Sequence, residues 1–107
     1  MAYKVLGQSA PAATTDTNVY TVPSATEAVI STIVIANRAA TAGTFRLSVR
    51  PNGATLANQH YLAYDVPIAG ADSTTLTLGV TLDAADVVTF YASSANMSIS
   101  VFGTEIA

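Results

Sequence analysis

A single histidine, two aspartates three residues apart, and two arginines four residues apart on an alternating segment are the residues whose types and spacing could do chemistry in this 107-residue chain. His60 as a general base would need an orienting carboxylate and a positioned nucleophile. Asp65 lies five residues on, which in a strand places it on the opposite face. His60 is therefore expected to lead a strand or to sit at an interface. Asp83 and Asp86 flank Ala84 and Ala85. Paired carboxylates can hold calcium or act as acid and base. Aspartate is also favoured in turns for its hydrogen bonds to nearby backbone, and a calcium site needs more oxygen ligands than this loop carries. The turn reading is preferred. No glycine-rich phosphate loop, metal-ligand spacing or nucleophile elbow is present. The chain has no cysteine, hence no thiolate and no disulfide. No enzymatic activity, cofactor or metal is expected.

Arg46 and Arg50 belong to a segment in which Phe45, Leu47 and Val49 point one way and Thr44, Arg46, Ser48 and Arg50 the other. Joined by Tyr61 or Tyr64 from a neighbouring strand, they would compose an arginine–tyrosine patch, a composition favoured at interface hot spots. The alternative is a solvated strand face. Tyr61, Tyr64 and Tyr91 also keep a sugar-stacking platform open, although the chain has no tryptophan.

The elements that must position these residues are strands. Residues 28–36 (AVISTIVIA) are apolar or small on both pleat faces, Ile30, Thr32 and Val34 on one and Val29, Ser31, Ile33 and Ile35 on the other. Such a strand wants a central, covered position. The alternating strand 44–50 reads as its partner across a loop, covering one of its edges. Residues 3–7 and 17–22 read as strands, the latter stopped by Pro23, and residues 8–16 as a loop or an N-terminal arm. Pro51-Asn52-Gly53 is a turn signal, and a short helical turn is expected near residues 54–58. In 60–68, Leu62, Tyr64, Val66 and Ile68 share one face. Residues 74–82 alternate leucine or valine with threonine, with Gly79 expected to mark a bulge or bend. Residues 86–92 place Val88 and Phe90 inward, and 97–106 place Met97, Ile99 and Val101 on one face. About eight strands with turn signals every 8 to 12 residues predict an all-β fold: a single antiparallel β-sandwich, jelly-roll or immunoglobulin-like, over residues 1–107.

Composition narrows the function. Half the residues are hydrophobic and 10% are charged, against about 25% charged in an ordinary domain. Low surface charge removes the repulsion that keeps copies apart, so a subunit of a larger assembly is favoured. Lys4, Arg38, Arg46 and Arg50 are the only basic residues and form no run, which disfavours nucleic acid. No segment reaches the ~18 apolar residues of a membrane span. The N-terminus lacks the apolar core of a signal peptide, so use in a cytoplasm, or exit by a route other than secretion, is expected.

The order and spacing of several segments resemble those of small virion proteins of tailed bacteriophages. These are MAYKVLGQ, VYTVP (19–23), VISTIVIANR (29–38), FRLSVRPNG (45–53), YLAYDVPI (61–68), TLTLGVTLDAADVV (75–88) and SISVFGTEI (98–106). The resemblance implies a β-sandwich that decorates or cements a capsid, commonly as a homotrimer on the major capsid protein lattice, or an accessory protein of neck, tail or fibre. It carries over no catalytic residue. The expected location is the virion, assembled in the host cytoplasm. Arg46, Arg50, Tyr61 and Tyr64 are the candidate partner-binding residues.

Overall fold

The computed structural model describes residues 2–107; Met1, the first residue of the expected single domain, lies outside them. Among the described residues, nine strands form: β1 (Tyr3–Ser9), β2 (Thr17–Thr21), β3 (Glu27–Asn37), β4 (Gly43–Arg50), β5 (Tyr61–Ile68), β6 (Asp72–Leu76), β7 (Val80–Leu82), β8 (Val87–Ala92) and β9 (Met97–Ile106). All pairings are antiparallel. One sheet runs β1-β9-β3-β6, with β7 also on β3, and the other runs β2-β8-β4-β5. β6 and β7 pair successive stretches of β3, so they act as one strand broken at the expected place, near Gly79 (φ 61). Counted that way, eight strands fill two four-stranded sheets, and every connection except β4–β5 crosses between sheets. This is the jelly-roll order, not the immunoglobulin one.

The core lies between the two sheets. Alternation puts Phe45, Leu47, Val88, Phe90, Met97, Ile99 and Val101 there, each at most 1% exposed. Phe45 and Phe90 meet at 6.1 Å between ring centroids. Each fully buried side chain of this size contributes about 1.5–3 kcal/mol relative to exposure.

Two expectations about β3 are corrected. First, β4 does not cover it: the two strands lie in different sheets, and β3 is flanked by β9 on one side and by β6 and β7 on the other. The reason is the single apolar face of β4, which is satisfied by facing the first sheet across the core. Second, β3 does not carry two equivalent faces. Ile30 pairs with Gly103 and Thr32 with Phe102, leaving Ser31 as an extra residue in a β-bulge. The alternation restarts there, so Ile30 joins Ile33 and Ile35 in the core, while Val34 turns outward and is half-buried.

The same device reshapes β5. Phe45 pairs with Val66 and Leu47 with Ala63, so Tyr64 and Asp65 together oppose Arg46. Asp65 adopts φ 51, a left-handed conformation that aspartate tolerates better than most residues. In consequence Leu62 and Tyr64, expected on the face of Val66 and Ile68, point outward and are 49% and 54% exposed. β1 extends two residues beyond its expected end and folds onto its own β9, so residues 8 and 9 belong to a strand and not to an arm.

Candidate functional site

β4 is flanked by β8 and β5 on the outer surface of the second sheet, and Arg46 stands at its middle. Strand register places Tyr91 directly opposite Arg46 on β8, and the β5 bulge places Tyr64 and Asp65 opposite it on the other side. The guanidinium carbon lies 4.2 Å from the centroid of the Tyr64 ring and 4.4 Å from that of Tyr91, within cation–π range of both. Arg46 Nε donates to Asp65 Oδ1 at 2.7 Å and Nη2 to Oδ2 at 3.4 Å. The hydrogen-bonded Asp65 carboxylate raises the guanidinium pKa further above its ordinary value. Tyr61 meets Tyr64 edge-to-face at 4.8 Å. Arg46, Tyr61 and Tyr64 are thus brought together as the sequence suggested. Tyr91, considered there only for sugar stacking, is a full member; its place depends on β8 lying beside β4, which no local pattern reveals.

Arg50 is not part of this platform. Its Nε donates to Thr89 Oγ1, its Nη1 to the carbonyls of Gly53 and Ala54, and its Nη2 to Asn18 Oδ1. It straps the segment after β4 against the sheet and holds β2 to it. The turn at Pro51–Gly53 forms as read, with Asn52 and Gly53 at φ 53 and 67. The second short 3-10 turn, Asn58–His60, overlaps the expected residues 54–58 only at Asn58. His60 leads β5 and is buried; its Nδ1 accepts the Ala57 N–H at 3.0 Å, which leaves the ring proton on Nε2 in the neutral form. Asp86 accepts from the backbone of Asn52 and Asp83, and Asp83 from Ala84, so both carboxylates serve the turn. Among the described residues no group of three metal-ligating side chains comes together.

A second polar cluster bridges the sheets at one end. Tyr20 on β2 donates its hydroxyl to Glu105 Oε2 at 2.6 Å, and Lys4 on β1 pairs with Glu105 Oε1. Lys4 first, then Tyr20, holds the Glu105 carboxyl below its ordinary value, while burial and then the Glu105 bond push the Tyr20 phenol well above its own. Neither the pairing of Glu105 nor the burial of Asn37, described below, was foreseen from sequence. Compared with protein-family models, curated proteins and solved structures, the chain matches none.

Proposed function

We propose that this chain is a structural protein of a tailed-bacteriophage virion, a decoration protein that docks on the major capsid protein lattice through the Arg46–Tyr64–Tyr91 platform and acts as a small closed oligomer, a homotrimer. The observation that carries this reading is the platform. Arginine and tyrosine are, with tryptophan, the side chains enriched among interface anchors, and here Asp65 and the stacked rings hold Arg46 in place before any partner arrives, which lowers the ordering cost of binding. Leu62 extends the exposed apolar area beside Tyr64. A protein partner is favoured over a sugar, because the guanidinium already covers one face of each of the two rings on which a sugar would stack. The jelly-roll order, which viral capsid domains and lectins share, is compatible with both and decides neither. The low charge of the chain favours self-association.

Cryo-EM of particles of the phage that encodes the chain tests this. Density at local symmetry axes of the capsid is expected. Particles lacking the chain overturn the reading, and density confined to neck, tail or fibre overturns the decoration role.

A further inference from the structure

We propose that β1 is exchanged between copies, each subunit's first strand leaving its own β9 and completing the first sheet of a neighbour. This rests on the self-association part of the function proposed above and not on capsid docking; the occupant of the β9 edge is a second copy of this chain.

Four observations carry the inference. Among the described residues β1 is an edge strand whose sheet neighbour is β9 alone. Its side chains are lightly anchored: Tyr3 is 85% and Val5 48% exposed, Lys4 and Gln8 are also exposed, and Leu6 is its one hydrophobic side chain packed against the core, with Gly7 close against Val19 of β2. Its attachments (the β9 ladder, the Lys4–Glu105 pair, the Gln8–Ser100 hydrogen bond, the Thr104 hydroxyl on the Ala2 carbonyl and the close approach of Gly7 to Val19 of β2) involve identical groups in every copy. Exchange therefore remakes each of them, and the balance falls to concentration and to the hinge.

The hinge is the fourth observation. Residues 10–16 cross from one sheet to the other, and Thr14 takes φ 51 on the way. A β-branched residue is strained in that left-handed region, and an extended hinge relieves it. Pro11 restricts Ala10 to extended conformations and stiffens the hinge, while opening exposes the buried Pro11 ring and frees the Thr14 N–H from the Ala92 carbonyl. The reach suffices: seven extended residues span about 25 Å, more than the 20 Å shortest dimension of the molecule. Passing the strand to the next copy and receiving one from the previous copy closes a ring without a new binding surface.

The chain contains no cysteine, so an engineered pair is the sole disulfide. Gln8 and Ser100 lie opposite each other in register with their side chains in contact at 3.1 Å. The Gln8→Cys/Ser100→Cys full-length chain is to be purified reduced, oxidised at low and high protein concentration, and run on a non-reducing gel beside light scattering. Covalent two- and three-chain species that grow with concentration are expected, ending in a ring of about 33 kDa for three copies of the 10.9 kDa chain. Val5→Cys with Phe102→Cys, a second opposed pair, repeats the reading should the first variant fail to fold. Disulfides closed within single chains at high as well as low concentration overturn the exchange. If those chains still scatter as an oligomer, self-association survives without it; if they scatter as monomers, both are lost. Loss of capsid docking leaves the gel pattern unchanged.

Discussion

Asp65 closes its two-point pair with Arg46 because residue 65 is the extra residue of a bulge. In an uninterrupted strand one residue of β5 would oppose Arg46. The bulge sets two there, one supplying a ring and the other a carboxylate. Tyr64 and Asp65 thereby engage the guanidinium from a single strand, and Tyr91 engages it from the opposite one. The platform is a product of backbone irregularity as much as of side-chain choice.

Truncation of the exposed ring should separate docking from folding. Tyr64→Ala is expected to weaken binding to isolated heads by about 30-fold, the size of an interface hot spot. Its melting temperature should stay within about 4 °C of wild type, as for other exposed substitutions. Arg46→Glu should also abolish docking, since it sets a second carboxylate against Asp65. Cosedimentation with heads and a thermal melt read the two effects, and undiminished cosedimentation of both variants would remove this face from the interface.

The bulge at Ser31 makes a second prediction. Ile35 is fully buried, whereas Val34 faces outward opposite Ser100 and Thr75. Ile35→Ala should cost about 2–5 kcal/mol, a fall of roughly 10–20 °C in melting temperature. Val34→Lys should fold and remain soluble, with a change within about 1 kcal/mol. Chemical denaturation of both proteins checks the contrast.

Strand identity was legible because it depends on local alternation. Phe45/Leu47/Val49, Val88/Phe90 and Met97/Ile99/Val101 face the core as their spacing requires. The Asn52-Gly53 turn and the break near Gly79 were legible from backbone chemistry. The bulges at Ser31 and Asp65 were not, since one inserted residue leaves composition unchanged while reversing every face beyond it. Sheet partnership was not legible either. Placing β4 across the core from β3, and Tyr91 beside Arg46, depends on contacts distant in sequence. Of the candidate site, Arg46, Tyr61 and Tyr64 were found; Arg50 had the right residue type but a separate network.

Acid and alkali should loosen the same end of the sandwich from opposite sides. Glu105 has a lowered pKa in the folded protein, chiefly through Lys4, so its contribution is present above its ordinary 4.5 and is lost as pH falls through the folded value. The Tyr20 phenol is raised, chiefly by burial, so its contribution is present below its ordinary 10.0 and is lost as pH climbs beyond it. Glu105→Gln should flatten the acid limb of melting temperature against pH, and Tyr20→Phe the alkaline limb. A variant curve parallel to wild type would remove the corresponding pair from the pH response.

Two glycines should respond differently to alanine. A Cβ at Gly103 would overlap the Val29 carbonyl oxygen in the β3–β9 ladder. Backbone cannot yield there without parting the sheet, so Gly103→Ala should cost about 3 kcal/mol or more. At Gly79 nothing lies within 4 Å of such an atom, and only its φ of 61 opposes substitution. Gly79→Ala should cost about 1–2 kcal/mol. Equal losses in urea denaturation would contradict the close approach at Gly103.

Asn37 offers the sharpest test of the fold's corner. Its side chain is 2% exposed where β3 hands over to the loop leading into the second sheet. Nδ2 donates to the carbonyls of Thr41, Ile68 and Ala69 at 3.0, 3.2 and 3.3 Å, while Oδ1 accepts the Ala39 N–H at 3.1 Å. One amide thus joins the β3–β4 loop to the turn after β5. Asn37→Ala leaves these groups unmet and should cost about 2–4 kcal/mol. Asn37→Asp should be worse at neutral pH, because a carboxylate has no proton to donate and faces three carbonyl oxygens. Protonation restores one donor, so the introduced carboxyl has a raised pKa in the folded state. Its penalty shrinks as pH falls through that value, a trend opposite in sign to that of Glu105. Measuring denaturation of the Asn37→Asp and Asn37→Ala chains from pH 7 down to about 4 separates the cases: the aspartate variant should gain on the alanine variant as pH drops, and a constant difference would mean that the amide does not hold the corner.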